Sequence, residues 1–181
     1  MHDEALDVLP GLVDELGGRP PILVGHSDGA SISLIYAGSG YPVEGLVLIA
    51  PHVMVETLGL SQIKSIADSY ERTDLATRLN KYHDDAEGLF RGWADVWLSD
   101  SFASWNIEAY LSDISCPILM IQSSDDDYGS LNHLDIIEDS VSGPVTQLVI
   151  EGSSHSPHLS APDVVRGATV NFLRDLDVKF R

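Results

Sequence analysis

The chain has 181 residues, 44% of them hydrophobic, which suits one globular domain with a sizeable core. Its formal net charge of −18 would repel phosphate backbones, so no nucleic-acid partner is expected. A single cysteine, Cys116, excludes an internal disulfide framework and spaced-cysteine zinc patterns, and it suits a reducing cytoplasm.

In chain order, Ala5, Leu6, Leu9, Leu12, Val13 and Leu16 recur at helical spacing over residues 3–17, and Gly17-Gly18 closes that helix. This start is acidic and amphipathic, unlike a secretory signal, and no apolar run reaches membrane-spanning length, so no membrane partner is expected. "PILVG" (21–25) is a short continuous apolar run, as expected of a parallel strand covered on both faces. Residues 28–38 read as a helix. "VEGLVLIAP" (43–51), "CPILMIQ" (116–122) and "VTQLVIEG" (145–152) read as three more strands, with helical patterns at 130–140 and 162–176. Strands alternating with helices imply an α/β fold, a parallel sheet of about four strands with right-handed crossovers. Residues 53–112 break the rhythm: the stretch is polar and aromatic and holds Trp93, Trp97 and Trp105. It reads as a helical insertion, a cap or lid expected over the C-terminal edge of the sheet, between core segments 1–52 and 113–181.

"GHSDG" (25–29) fits Gly-x-Ser-x-Gly, a serine on a sharp strand-to-helix turn. A hydroxyl is a weak nucleophile and must stand clear of the sheet where a base reaches it. The turn strains the serine backbone, and Gly25 and Gly29 are both expected to be small because strand and helix approach closely. The same turn aims the Asp28 amide, at a helix N-terminus, toward a developing oxyanion. The plain alternative is that Ser27 is a helix N-cap.

Serine chemistry needs a histidine base and an acid. On this kind of sheet they follow the serine in the order acid, then histidine, beyond the C-terminal ends of strands. "QSSDDDYGS" (122–130) and "EGSSHSPHLS" (151–160) stand at those places. Asp125, Asp126 and Asp127 compete for the acid, and His155 and His158 for the base. His26 is expected to pack or to line a pocket. His52 either lines the site or is an idle loop residue. Asp28 either caps its helix or meets a cationic substrate group. Trp93 and Trp97 either form the insertion's own core or face a substrate.

On these motifs the chain resembles the α/β-hydrolase superfamily, in the branch of small Ser-His-Asp hydrolases with a helical cap. The resemblance covers nearly all 181 residues. The family's acid often stands three positions after a strand-ending glycine; Ser123 holds that glycine's place, which puts the acid at Asp126. The family's histidine often follows Gly-x-x-His, and "GSSH" (152–155) puts it at His155. The resemblance implies a Ser27-His155-Asp126 triad acting on a small ester or related acyl compound, with no metal and no organic cofactor. C–C bond hydrolases, perhydrolases and acyltransferases share that triad. Dehalogenase and epoxide hydrolase relatives carry Asp where this chain has Ser27.

Family members usually have further strands before the segment matching 3–17, including a loop that gives a second oxyanion amide. Such an N-terminal truncation would leave strand 21–25 as an apolar sheet edge, open to association with a second copy. The alternative function is a non-catalytic remnant or a binding module lacking a complete oxyanion hole.

Overall fold

The computed structural model describes residues 1–179. Four strands, β1 (Ile22–His26), β2 (Gly45–Ile49), β3 (Ile118–Ser123) and β4 (Val145–Ile150), form one parallel sheet in the order β1-β2-β3-β4. The helices in chain order are α1 (Leu9–Glu15), α2 (Asp28–Gly38), α3 (Thr57–Ser69), α4 (Leu75–Leu79), α5 (Ala86–Trp97), α6 (Glu108–Leu111), α7 (Asn132–Ser140), α8 (Pro157–Ser160) and α9 (Pro162–Lys179).

The central strands β2 and β3 are buried along their whole length, which is why β2 and residues 118–121 of β3 read as unbroken apolar runs. The pleat sends Val47, Ile49, Leu119 and Ile121 to one face, where Val165, Ala168 and Phe172 of α9 cover them. Leu46, Leu48, Ile118 and Met120 alternate with that set and are fully buried too. Right-handed crossovers put α2, α6 and α7 on a common face, and these three helices touch one another in turn. β1 lies at one edge of the described sheet with Val24 60% exposed, so it is not covered on both faces as its apolar run suggests. The opposite edge, β4, holds only half-buried and exposed positions.

The first helix differs from expectation in one respect. It opens as a π-helical segment, Glu4–Val8, before α1. Pro10 offers no amide to the Leu6 carbonyl, and that carbonyl instead accepts from the Tyr41 hydroxyl at 3.4 Å. Gly17 and Gly18 then end the helix at φ 107° and 63°, with the Gly18 amide on the Val13 carbonyl at 2.9 Å.

The chain divides into two compact units, Met1–Met54 with Asn106–Arg181, and Val55–Trp105. The flanks of the expected 53–112 insertion thus belong with the sheet. The Ile107 amide meets the Val53 carbonyl at 2.8 Å, and an antiparallel bridge joins Met54 to Asn106. Both Val53 and Ile107 are fully buried, so this neck is fastened by packing as well as by hydrogen bonds. The Val55–Trp105 unit is helical with an aromatic interior: Phe102 stacks on Trp105 at 5.3 Å, Trp97 lies edge-on to both, and Tyr70 stacks on Phe90 at 4.2 Å. No described helix is long and apolar enough to cross a membrane.

Candidate active site

Ser27 follows β1 directly and precedes the first residue of α2, with φ 54° and ψ −121°, outside the range a non-glycine residue favours. Three backbone hydrogen bonds and one from a side chain over-determine this turn. The Ser27 amide donates to the Ile49 carbonyl at 2.9 Å, and the Ser27 carbonyl accepts from Ala30 at 2.9 Å and Ser31 at 3.2 Å. The Ser31 hydroxyl in turn donates to the His52 carbonyl at 2.6 Å, tying the loop after β2 to the same helix. Gly25 permits the close approach: a Cβ there would lie 2.3 Å from the Gly29 carbonyl oxygen. Gly29 itself departs from the sequence expectation. A Cβ there would meet nothing within 4 Å, because it is the backbone of Gly29, not its missing side chain, that faces Gly25.

The loop after β4 brings His155 against Ser27, with Nε2 2.9 Å from Oγ. On the ring's other side Nδ1 lies 2.9 and 3.0 Å from the two carboxylate oxygens of Asp126, in the loop after β3. An ionised carboxylate only accepts, so Nδ1 carries the ring proton and Nε2 turns its lone pair to the serine hydroxyl. Asp126 Oδ1 also accepts from the Tyr128 amide at 2.9 Å and the Gly129 amide at 3.3 Å. The buried Gln122 amide group reaches Oδ2 at 3.4 Å and fixes the loop through the Gly129 carbonyl at 2.8 Å. Burial alone would raise the Asp126 carboxyl, but the His155 hydrogen bond, the histidine's charge and the two amides outweigh it and hold the group below the ordinary carboxylate range.

The remaining sequence candidates fall into separate places. Asp125 points its carboxylate at the backbone of the His155 loop, accepting from Ser153 at 3.0 Å, and not at the imidazole. The His158 ring lies 4.5 Å from that of His26. His26 Nε2–H donates to the His155 carbonyl at 2.9 Å, and burial, the largest influence, lowers its basicity. Asp28 is the first residue of α2, so its amide stands at a helix N-terminus. Trp97 is buried in the aromatic interior of its own unit, and Trp93 is half-buried beside Phe90. The reading from sequence missed Tyr128, whose ring centroid lies 4.4 Å from that of His155, and Gln122. A glutamine ending a wholly apolar strand was the one available signal for the second. Among the described residues, no three histidine, cysteine or carboxylate side chains gather as a metal-sized cluster.

His52 is buried, its ring 5.1 Å from His133 and 5.6 Å from His155. Burial first, then the neighbouring His133 and His155, push its pKa down to about 3, against the slight upward pull of Asp126. The neutral ring is the form the fold favours, while the unfolded chain takes up a proton near 6.5. Between those values the unfolded state binds more protons, so stability falls as pH drops from about 6.5 toward about 3. The loss expected is on the order of a few kcal/mol. Asp126, held low, adds to the loss at the acid end of that window. Urea unfolding at pH about 7 and about 4.5 is expected to show a smaller difference for His52→Asn than for the parent chain. An equal difference would remove His52 as the source.

Solved structures share this architecture. The chain is 19% identical to a thermophilic esterase from Thermogutta terrifontis, with a TM-score of 0.68 over 97% of this chain and 72% of that one. For proline iminopeptidase of Mycobacterium smegmatis the identity is 15% and the TM-score 0.71, over 97% and 72% of the two chains. For E-2-(acetamidomethylene)succinate hydrolase they are 22% and 0.69, over 95% and 73%. Likeness at these identities is likeness of fold. No curated protein matches the sequence significantly. The model of the alpha/beta hydrolase family matches residues 2–168, nearly the whole chain, and with the parallel sheet and its serine turn this places the protein in the alpha/beta hydrolase family.

Proposed function

We propose that the protein is a serine hydrolase acting on a small ester or related acyl compound. The observation that carries this reading is the unbroken hydrogen-bonded run from Ser27 Oγ through both nitrogens of His155 to Asp126, with Ser27 on a strained turn. Ser27 Oγ attacks the substrate carbonyl carbon while His155 Nε2 takes the hydroxyl proton. Asp126 keeps the ring in the required tautomer and stabilises the imidazolium that forms. The Asp28 amide, at the N-terminus of α2, donates to the oxyanion of the tetrahedral intermediate. Collapse of that intermediate breaks the bond to the leaving alcohol, which departs with the proton from His155. A water molecule then repeats the sequence on the acyl-serine and frees the acid. The named relatives, an esterase, an iminopeptidase and a hydrolase, support acyl chemistry without choosing among acyl groups.

The test is covalent labelling. A fluorophosphonate probe is expected to modify the protein once, at Ser27, as read by peptide mass spectrometry, and a panel of short-chain p-nitrophenyl esters is expected to be hydrolysed. Modification at another residue, or the absence of any, would overturn the assignment.

A further inference from the structure

The turn that carries His155 is held by a second acidic residue. Ser154, the residue before His155, has φ 49°, a left-handed conformation that a serine does not hold unaided. One oxygen of Asp125, Oδ1, gathers three donors around it: the Ser123 hydroxyl, the Ser153 amide at 3.0 Å and the Ser154 amide at 3.4 Å. The Ser123 hydroxyl lies at the end of β3, also faces the Ile150 carbonyl at 3.0 Å, and accepts from the Ser153 amide at 3.0 Å. Ser123 and Ser153 are both buried, whereas the loop outside them is exposed. The end of β3, the end of β4 and the histidine turn are therefore knotted at one point.

We propose that Asp125, with Ser123, is a positioning residue that clamps the Ser153–Ser154 backbone and so sets the His155 imidazole between Ser27 and Asp126. The inference rests on the hydrolase reading for its kinetic consequence but on geometry alone for its existence. Three observations support it. The clamp bonds to the two residues immediately before the histidine, so its lever arm on the ring is short. It spans the two loops that supply the acid and the base, beside the Asp126–His155 contact and the Ser124 amide's bond to the Ile150 carbonyl at 3.0 Å. The serine hydroxyl nearest the clamp, then the two amides, hold the Asp125 carboxylate below the ordinary range, so the clamp stays charged into mild acid. On the ring's other flank the His26 bond to the His155 carbonyl completes the restraint. Asp126 and Asp125 are neighbours with divided tasks: one meets the ring, the other the backbone that aims it.

The experiment compares the parent chain with Asp125→Ala and Asp125→Asn. Three readouts are taken: the rate of fluorophosphonate labelling at Ser27, the downfield proton resonance of His155 Nδ1–H, and the thermal unfolding midpoint. Asp125→Ala is expected to slow labelling by about 10- to 100-fold, because a misplaced base costs rate steeply. Its downfield proton is expected to broaden or vanish, with the unfolding midpoint little changed. Asp125→Asn keeps an acceptor oxygen at the same place and is expected to restore most of the rate and the resonance. If Asp125→Ala lowers the midpoint too far to read, Ser123→Ala removes the bridging hydroxyl and is expected to give a smaller loss of the same kind. A parent-like rate and resonance in Asp125→Ala would overturn the clamp. So would a failure of asparagine to restore what alanine removes. If the parent chain itself does not label, the hydrolase reading falls, and the resonance alone decides whether Asp125 positions the ring.

Discussion

Ser27→Ala is expected to bring ester turnover down to the background rate, a loss on the order of 10⁵–10⁶ in kcat. The reason is chemical: no other hydroxyl is placed within hydrogen-bond reach of His155 Nε2 by the contacts described. His155→Ala should cost nearly as much, and the double variant little more than either alone, since nucleophile and base act as one unit. Asp126→Asn is expected to cost about 10⁴. The carboxylate that accepts from Nδ1 would become an amide that can donate there, and a donating amide favours the tautomer with the proton on Nε2, which faces the serine hydroxyl wrongly. Steady-state hydrolysis of p-nitrophenyl acetate measures all four proteins. Turnover by Ser27→Ala above one-thousandth of the parent rate would mean that another group is the nucleophile.

A large effect on folding is expected at Gly25→Ala. The added Cβ would stand 2.3 Å from the Gly29 carbonyl oxygen, 2.5 Å from its carbon and 2.6 Å from the Ala30 nitrogen. All three are backbone atoms of the first turn of α2, so no rotamer change relieves the overlap. Either the helix withdraws from β1 or the elbow opens, and both break the Ser27 amide bond to Ile49. A loss of about 3 kcal/mol or more is expected, the upper end of overpacking costs. Gly29→Ala is the control: its Cβ enters open space, and alanine has the better helix propensity, so the change should be neutral or stabilising by up to about 1 kcal/mol. Chemical denaturation curves of the two variants separate the cases. Equal midpoints would show that the close approach at Gly25 is not what the turn depends on.

What could be read from the sequence follows from what each residue type can do alone. β2 and the first four residues of β3 were legible because burial on both faces leaves an apolar run with no polar phase. Ser27 was legible because a serine between glycines at a strand end has few other uses, and His155 because its place after β4 singles it out. The three consecutive aspartates 125–127 were harder to part. They have the same chemistry, and only backbone direction sends Asp126 to the ring and Asp125 to the amides of the neighbouring loop. The flanking glycines are equivalent in the motif, yet the space around them differs completely, since that space is set by packing between a strand and a helix. Tyr128 acts through a backbone amide, which carries no sequence signature, and Gln122 through a buried side chain whose one sign is a polar residue at the end of an apolar run. The π-helical start arises from one proline meeting one carbonyl, below the resolution of a hydrophobic period.

Among the described residues, three that are not glycine hold positive φ: Ser27 after β1, Ala50 after β2 and Ser154 after β4. Each stands at the same end of its strand, and each costs on the order of 1–3 kcal/mol. Together they approach the whole net stability of a small domain. That end of the sheet therefore works like a set spring held by its neighbours. Warming that frees any one loop lets its strain relax before the buried strands give way, so the molecule would lose its working geometry while still folded, and heat would switch it off before it melted it.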